Sequence, residues 1–234
     1  DCPNGQCTQG AEFDAVGAQA CESARGVEAR VGMPGEVSGP VEGLASICDW
    51  VEASQARAPL EVDLCGSDVA QIIYTSGTES RPKGALLTHE AVISEYATCV
   101  IDADIHRDDK LLHALPLYHC AQLDVFLGPA VYVGASNVIT ATPTPERIIE
   151  LIKRRGINSF FAPPTVWIAI LANAESSADN LRSLVKGYYG ASIMPVEVLK
   201  SLQSRLPALQ LWNLYGQTEI APVATILRPE EQLL

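Results

Sequence analysis

At 234 residues and 25.0 kDa the chain is long for one small domain and short for two large ones, so one α/β unit with a partial companion is expected. Its 28 acidic against 16 basic side chains give a formal net charge of −12, which argues against sequence-independent nucleic-acid binding, because that requires a basic face that releases counterions. With 47% hydrophobic and 19% charged residues, the composition is that of a globular domain and excludes a disordered, collagen-like or coiled-coil chain.

Residues 1–66 hold no long periodic segment. They are rich in Gly, Ala, Glu and Pro, and turns are expected at Val31–Gly35 and Ser38–Pro40. This part is expected to be a partial or irregular piece of a neighbouring subdomain, with a short helix over Cys48–Ala56 anchored by Trp50 and Val51. From residue 67 to residue 234 the pattern is that of a partial α/β domain. Val69–Tyr74 is a short apolar run that predicts a buried strand, followed by a Gly-containing loop and then a helix. Thr88 predicts the N-cap of that helix, His89 to Asp102, with Val92, Tyr96, Cys99 and Val100 on one face. Leu111–Leu115 predicts a strand, Leu123–Val133 a helix and Asn137–Thr140 a strand. The clearest helix runs from Pro145, with Thr144 as N-cap, Ile148, Leu151 and Ile152 as its apolar face, and a cationic last turn of Lys153, Arg154 and Arg155 before Gly156. Then come a strand at Ser159–Ala162, a helix at Thr165–Ala172, a strand at Ser183–Tyr189, a helix at Pro195–Arg205 and a strand at Gln210–Asn213. Such alternation predicts the α/β class: a mostly parallel sheet flanked by helices, with ligands at the carboxyl ends of the strands.

Asp1 to Gly10 is polar and acidic where a secretory leader needs a basic start and an apolar stretch, so a cytoplasmic protein is expected. The longest uncharged stretch, Val125–Pro145, is broken by Gly128, Pro129 and Gly134, and no membrane span is expected. The seven cysteines, at 2, 7, 21, 48, 65, 99 and 120, fit neither a disulfide framework nor a zinc cage; reduced, mostly buried thiols are expected. The sequence starts at Asp1 and not at Met, as a processed or partial product would.

Three segments carry chemistry. Tyr74-Thr-Ser-Gly-Thr-Glu-Ser-Arg-Pro-Lys-Gly84 offers four hydroxyls (Thr75, Ser76, Thr78 and Ser80), a glycine that lets backbone N–H groups converge, and the Lys83 charge, a set suited to phosphate oxygens. It is not a Walker loop, and taken alone it also fits an ordinary polar connection. Leu115-Pro-Leu-Tyr-His119 follows a predicted strand; a lone histidine beside aromatics fits a pocket gate or a satisfied wall residue. Asn213-Leu-Tyr-Gly-Gln-Thr-Glu219 supplies a flat ring at Tyr215, close backbone approach at Gly216, a hydroxyl at Thr218 and at Glu219 a carboxylate for a hard cation such as magnesium. All three fall at predicted strand ends of what reads as one sheet, where they would converge on one crevice that suits a nucleoside triphosphate.

These motifs, in order and spacing, resemble the AMP-forming acyl-CoA synthetases of the adenylate-forming superfamily, which also includes luciferases and peptide-synthetase adenylation domains. The family's Tyr-Thr-Ser-Gly-Thr-Thr-Gly-x-Pro-Lys-Gly corresponds to Tyr74–Gly84, and its Asn-x-Tyr-Gly-x-Thr-Glu is met at every fixed position from Asn213 to Glu219. Pro116–His119 is similar to its Pro-Leu-Phe-His segment, and Gly190–Ile193 to its Gly-Gly-Ala-Pro-Leu turn. The resemblance implies that Thr75, Ser76, Gly77, Thr78 and Lys83 hold the pyrophosphate portion of ATP, that Thr75 and Glu219 help bind Mg2+, and that Thr218 meets the α-phosphate. It implies that Lys83, Thr218 and Glu219 carry the catalytic charge. Gly190, Ala191 and Ser192, the ring of Tyr215 and the main chain of Asn213, Leu214, Gly216 and Gln217 would frame the adenine. His119 would line the acyl pocket; Phe160–Trp167, including Trp167 itself, with Tyr188, Tyr189 and Ile193, offers walls for a hydrophobic acid and equally fits plain core.

The implied reaction is attack of a carboxylate, of a fatty or other hydrophobic acid, on the α-phosphorus of ATP, then thioester formation with CoA. Two departures from the family qualify it. Glu79-Ser80 stands where the family has Thr-Gly, placing a carboxylate near phosphate, and Glu79→Thr is expected not to weaken ATP binding. The resemblance spans about Asp68 to Pro229 only, without the family's ribose-binding Thr-Gly-Asp segment, hinge or C-terminal catalytic lysine. The sequence is therefore expected to be an internal fragment of the large domain, with little adenylation activity of its own. An adenylation domain loading a carrier protein and an ATP-binding remnant without chemistry are the alternatives.

Overall fold

A computed structural model describes residues 31–32, 45–46, 62–75 and 82–232. The helix expected over Cys48–Ala56, and Ser76, Gly77, Thr78, Glu79 and Ser80 of the phosphate-type loop, lie outside the described residues. The chain divides into two compact units, Asp1–Asp63 and Leu64–Leu234. In the first, β1 (Val31–Gly32) pairs in parallel with β2 (Ala45–Ser46), so Val31 and Gly32 are extended where a turn was expected.

The second unit is built on a six-stranded sheet of order β10-β9-β8-β7-β5-β6, formed by β5 (Lys110–His113), β6 (Ser136–Ile139), β7 (Ser159–Phe161), β8 (Lys186–Gly190), β9 (Gln210–Gly216) and β10 (Val223–Leu227). Pairings from β6 through β9 are parallel; β10 is antiparallel to β9 and forms an edge that the sequence pattern did not announce. The chain leaves β5 for β6 on one side and returns on the other to β7, β8 and β9. This is the reversal of strand order at which open α/β sheets bind ligands.

The helices form where local sequence predicts them. In α1 (His89–Asp102), Thr88 is extended and its hydroxyl accepts from the Ala91 N–H at 3.2 Å. In α4 (Pro145–Arg155), Thr144 caps the start and Gly156, at φ +62°, ends it in the left-handed conformation that glycine tolerates. Between them, the helical run after His119 is α2 (Cys120–Gln122), a π-helical turn (Leu123–Leu127) and α3 (Gly128–Val133). Later come α5 (Pro164–Ala172) and α6 (Val196–Arg205). β8 begins three residues later than expected, because Leu181 and Leu184 enter the core from a turn closed by the Leu184 N–H on the Leu181 carbonyl, 2.9 Å.

One expectation is corrected. The Tyr74–Gly84 segment does not run from a strand of the main sheet directly into a helix: β3 (Val69–Thr75) pairs antiparallel with β4 (Lys83–Thr88) in a separate two-stranded hairpin, and Lys83 is the first residue of β4. The reason is the alternation of Lys83–Thr88, which buries Leu87 beside Ile73 and leaves Leu86 beside exposed Ile72.

Alternation also divides the core. Leu112, Phe160, Tyr189 and Leu211 face a cluster completed by α4, α5 and α6; Leu111, Phe161, Tyr188 and Trp212 face the other, with Cys99, Ala103, Phe126 and Ala130. Adjacent residues of a buried strand thus belong to opposite layers.

Candidate active site

At the carboxyl ends of β7, β8 and β9, and bounded by the hairpin, lies a cleft of about 570 Å³. One part is polar: Thr75 ends β3, Lys83 starts β4, and Gln217, Thr218 and Glu219 follow β9. Another is apolar: Ala121, Val125, Phe126, Phe161, Leu214 and Val223. Phe126 stacks on Phe161 with ring centres 4.5 Å apart and planes at 17°, which fixes a flat wall. His119 also lines the cleft; its Nδ1 accepts from the Ala121 N–H at 3.1 Å, capping α2.

The glycines here permit close backbone approach. A Cβ on Gly190 would lie 2.4 Å from the Leu214 carbonyl oxygen, and one on Gly216 would lie 1.9 Å from that of Pro222. Ala191 holds φ +64°, a left-handed conformation that costs an L-residue about 1–2 kcal/mol. The Cys120 thiol, 3.2 Å from the Thr218 hydroxyl, joins the start of α2 to the turn after β9.

Of the residues singled out in the sequence, the fold brings Thr75, Lys83, His119, Gly190, Ala191, Leu214, Tyr215, Gly216, Gln217, Thr218 and Glu219 to this cleft. Ser192 is exposed beside it, and the side chain of Asn213, one residue from Leu214, leaves β9 on the other face. Trp167 and Tyr189 are not brought to it. Both belong to the core cluster on the opposite face of the sheet: the Trp167 indole donates to the Tyr188 carbonyl at 3.1 Å, and the Tyr189 hydroxyl donates to Gln232 at 3.0 Å. Tyr188, on the nearer face, is fully buried with its hydroxyl on the Ala103 carbonyl, and Ile193 is exposed. Sequence reading missed Cys120, Ala121, Val125, Phe126, Pro222 and Val223. The helical spacing that follows His119 carried a signal for Val125 and Phe126; Pro222 and Val223 enter only because β10 folds back on β9.

Thr75 and Glu219 both line the polar part, and hydroxyl and carboxylate oxygens suit a hard cation. Among the described residues no group of three or more His, Cys, Asp or Glu is placed to cage a metal. One carboxylate and one hydroxyl in the same cleft are a donor set compatible with Mg2+, which commonly binds through one or two carboxylates together with substrate phosphates. Among the same residues no helix is long and apolar enough to cross a membrane.

A mostly parallel sheet with a crevice at its strand reversal, flanked by a separate hairpin that carries Thr75 and Lys83, is the frame of this cleft. The family profile described as AMP-binding enzyme matches residues 13–233, and the chain belongs to that family. It is 29% identical over 160 residues to a feruloyl-CoA synthase of an Amycolatopsis species, covering 68% of this chain and 32% of the relative. It is 31% identical over 170 residues to 4-coumarate–CoA ligase 3 of Arabidopsis thaliana, covering 70% and 30%. The anthranilate CoA ligase AuaEII, solved with anthranoyl-AMP, shares the fold with a TM-score of 0.80 at 22% identity, over 93% of this chain and 42% of that one. The chain thus spans about a third of the length of the curated relatives it matches.

Proposed function

We propose that the cleft is the nucleotide and acid site of an AMP-forming acid–CoA ligase, in which a carboxylate attacks the α-phosphorus of ATP and expels pyrophosphate, and the acyl group of the resulting adenylate passes to the thiol of CoA with release of AMP. The observation that carries this reading is the union, in one cleft, of Thr75, Lys83, Thr218 and Glu219 with the apolar wall of Val125, Phe126 and Phe161. Lys83 and the hydroxyls would neutralise and orient phosphate oxygens, and such positioning accounts for most of the catalysis in phosphoryl and nucleotidyl transfer. Mg2+, held by Thr75 and Glu219 with the phosphates, would supply further charge neutralisation. Gly190, Ala191 and the Tyr215 ring would bracket the adenine, whose flat face suits the exposed phenol.

The wall is what supports a reading of the acid class. In the apolar part, the described lining residues are aliphatic or aromatic, with no charged side chain to meet a second carboxylate or an α-amine. The apolar lining supports an apolar acid, fatty or aryl, as the substrate class, and the flat Phe126–Phe161 stack favours a planar chain or ring. The names of the relatives, feruloyl-CoA synthase and 4-coumarate–CoA ligase, accord with that class.

The test is pyrophosphate exchange and ATP binding, run with a panel of fatty and aryl acids and with CoA or a carrier-protein thiol as acceptor. Glu219→Ala is expected to abolish the Mg2+-dependent part of ATP binding. Unchanged Mg2+-dependent binding in that variant would overturn the assignment of the polar subsite.

A further inference from the structure

The hairpin that carries Thr75 and Lys83 and the helical segment that carries His119, Val125 and Phe126 belong to different sheets' layers, yet they must be held in one register for the cleft to work. An apolar cluster of Ile73, Leu87, Val92, Cys120 and Ala221 packs between them, but such contact is non-directional. Among the described residues, one hydrogen bond links the hairpin to the helical segment that follows His119. It runs from the Gln71 side-chain amide in β3 to Oδ1 of Asp124 in the π-helical turn, 2.8 Å.

Asp124 is an expensive residue to keep there. It is fully buried, its other carboxyl oxygen has no partner among the described residues, and the buried carboxyl of Glu95 lies close enough to oppose its charge. A π-helical turn inserts an extra residue into a helix and recurs at functional sites. Here it places Asp124 toward Gln71 while the next two residues, Val125 and Phe126, line the cleft. Four residues along β3 from Gln71, about 13 Å at strand rise, Thr75 reaches the same cleft.

We infer that Asp124 is a positioning residue: through Gln71 it fixes the Thr75/Lys83 hairpin against the helical segment bearing His119, Val125 and Phe126, and so sets the spacing between the phosphate and acid parts of the cleft. The inference rests on the proposed reading of that cleft as a nucleotide and acid site. Its leverage is geometric, since a displacement of about 1 Å between reacting groups costs on the order of a hundredfold in rate.

The test compares amide exchange and ATP affinity in the full chain for wild type, Asp124→Leu, Gln71→Leu and Asp124→Asn. In Asp124→Leu and Gln71→Leu, amides of β3 and β4 are expected to exchange about tenfold faster, the loss of a hydrogen bond to an acidic group, while those of β5 and β7 to β9 keep their protection. Global stability of Asp124→Leu is expected to hold or rise, because an apolar side chain replaces a buried carboxyl with an unpaired oxygen. A residue that served stability alone would move both readouts the same way. Asp124→Asn, which keeps the acceptor, is expected to restore hairpin protection. Unchanged hairpin exchange in Asp124→Leu, or no rescue in Asp124→Asn, overturns the positioning role. ATP binding weakened about tenfold in the two leucine variants is the expected functional consequence. Failure of the wild type to bind ATP overturns the reading of the cleft instead, while the exchange data still decide the role of Asp124.

Discussion

The thiol of Cys120 lies 3.2 Å from the hydroxyl of Thr218, across 98 residues of sequence, so the helix start after His119 and the turn after β9 share one contact at the cleft. Burial pushes the Cys120 thiol up, against the opposing effect of the Thr218 hydrogen bond, and burial pushes the Cys99 thiol up further. Cys65 is exposed. Brief treatment with iodoacetamide at pH 7.5 is expected to alkylate Cys65 at least about tenfold faster than Cys99 or Cys120, because the thiolate is the reactive form. Peptide mass mapping checks this, and equal labelling of Cys120 would contradict its burial.

Glu95 of α1 accepts from the Val223 N–H at 3.1 Å, and burial raises its carboxyl to about 7 from an ordinary 4.5. The folded state therefore holds the proton more tightly than the unfolded chain. The associated stability is fully present below about pH 4.5 and is lost as pH rises through about 7. Glu95→Gln keeps the acceptor and removes the charge. Urea denaturation is expected to find it more stable than wild type by about 1–3 kcal/mol at pH 8 and nearly equal at pH 4. No gain at pH 8 would refute the burial account.

At the amino-terminal end of β8, the Lys186 ammonium meets the carboxylates of Asp109 at 3.0 Å and Asp104 at 3.1 Å, and also the Asp104 carbonyl. Lys186 and Asp109 are both buried. Lys186→Met leaves the Asp109 charge without its cation and is expected to cost about 3–5 kcal/mol in urea denaturation, whereas Lys186→Met combined with Asp109→Asn, which removes the charge and keeps the acceptor for the His106 N–H, recovers most of that loss. A double variant as unstable as the single one would show that the pair is not the source of the effect.

Ala191 and its neighbour Gly190 respond in opposite senses. Ala191→Gly relieves the φ of +64°, offset in part by glycine's greater freedom in the unfolded chain, for a net gain of about 0.5–1 kcal/mol. Gly190→Ala drives a Cβ to within 2.4 Å of the Leu214 carbonyl and is expected to destabilise and to distort the cleft. Thermal melts of the two variants check both signs.

The local sequence was sufficient for the elements whose determinants are local. Thr144, Pro145 and Gly156 delimit α4, and Thr88 starts α1, because capping hydrogen bonds and a left-handed glycine act within one turn. Leu115–His119 and Asn213–Glu219 follow parallel strands, as the alternation of strands with helices indicated, whereas Tyr74–Gly84 reaches the cleft through a separate hairpin that this alternation did not show. What the tertiary structure alone decided was which face each residue serves. Phe160 and Phe161, or Tyr188 and Tyr189, are equally apolar in a strand buried on both sides, and only the packed sheet sends Phe161 to the cleft and Tyr189 and Trp167 to the opposite core. Likewise, Lys83–Thr88 became a hairpin strand, and Val223–Leu227 an edge strand, through pairing with segments elsewhere in the chain, and the Gln71–Asp124 contact joins residues 53 positions apart. Capping and turn chemistry are fixed by neighbours along the chain; the side of a sheet and the partner of a buried polar group are fixed by neighbours in space.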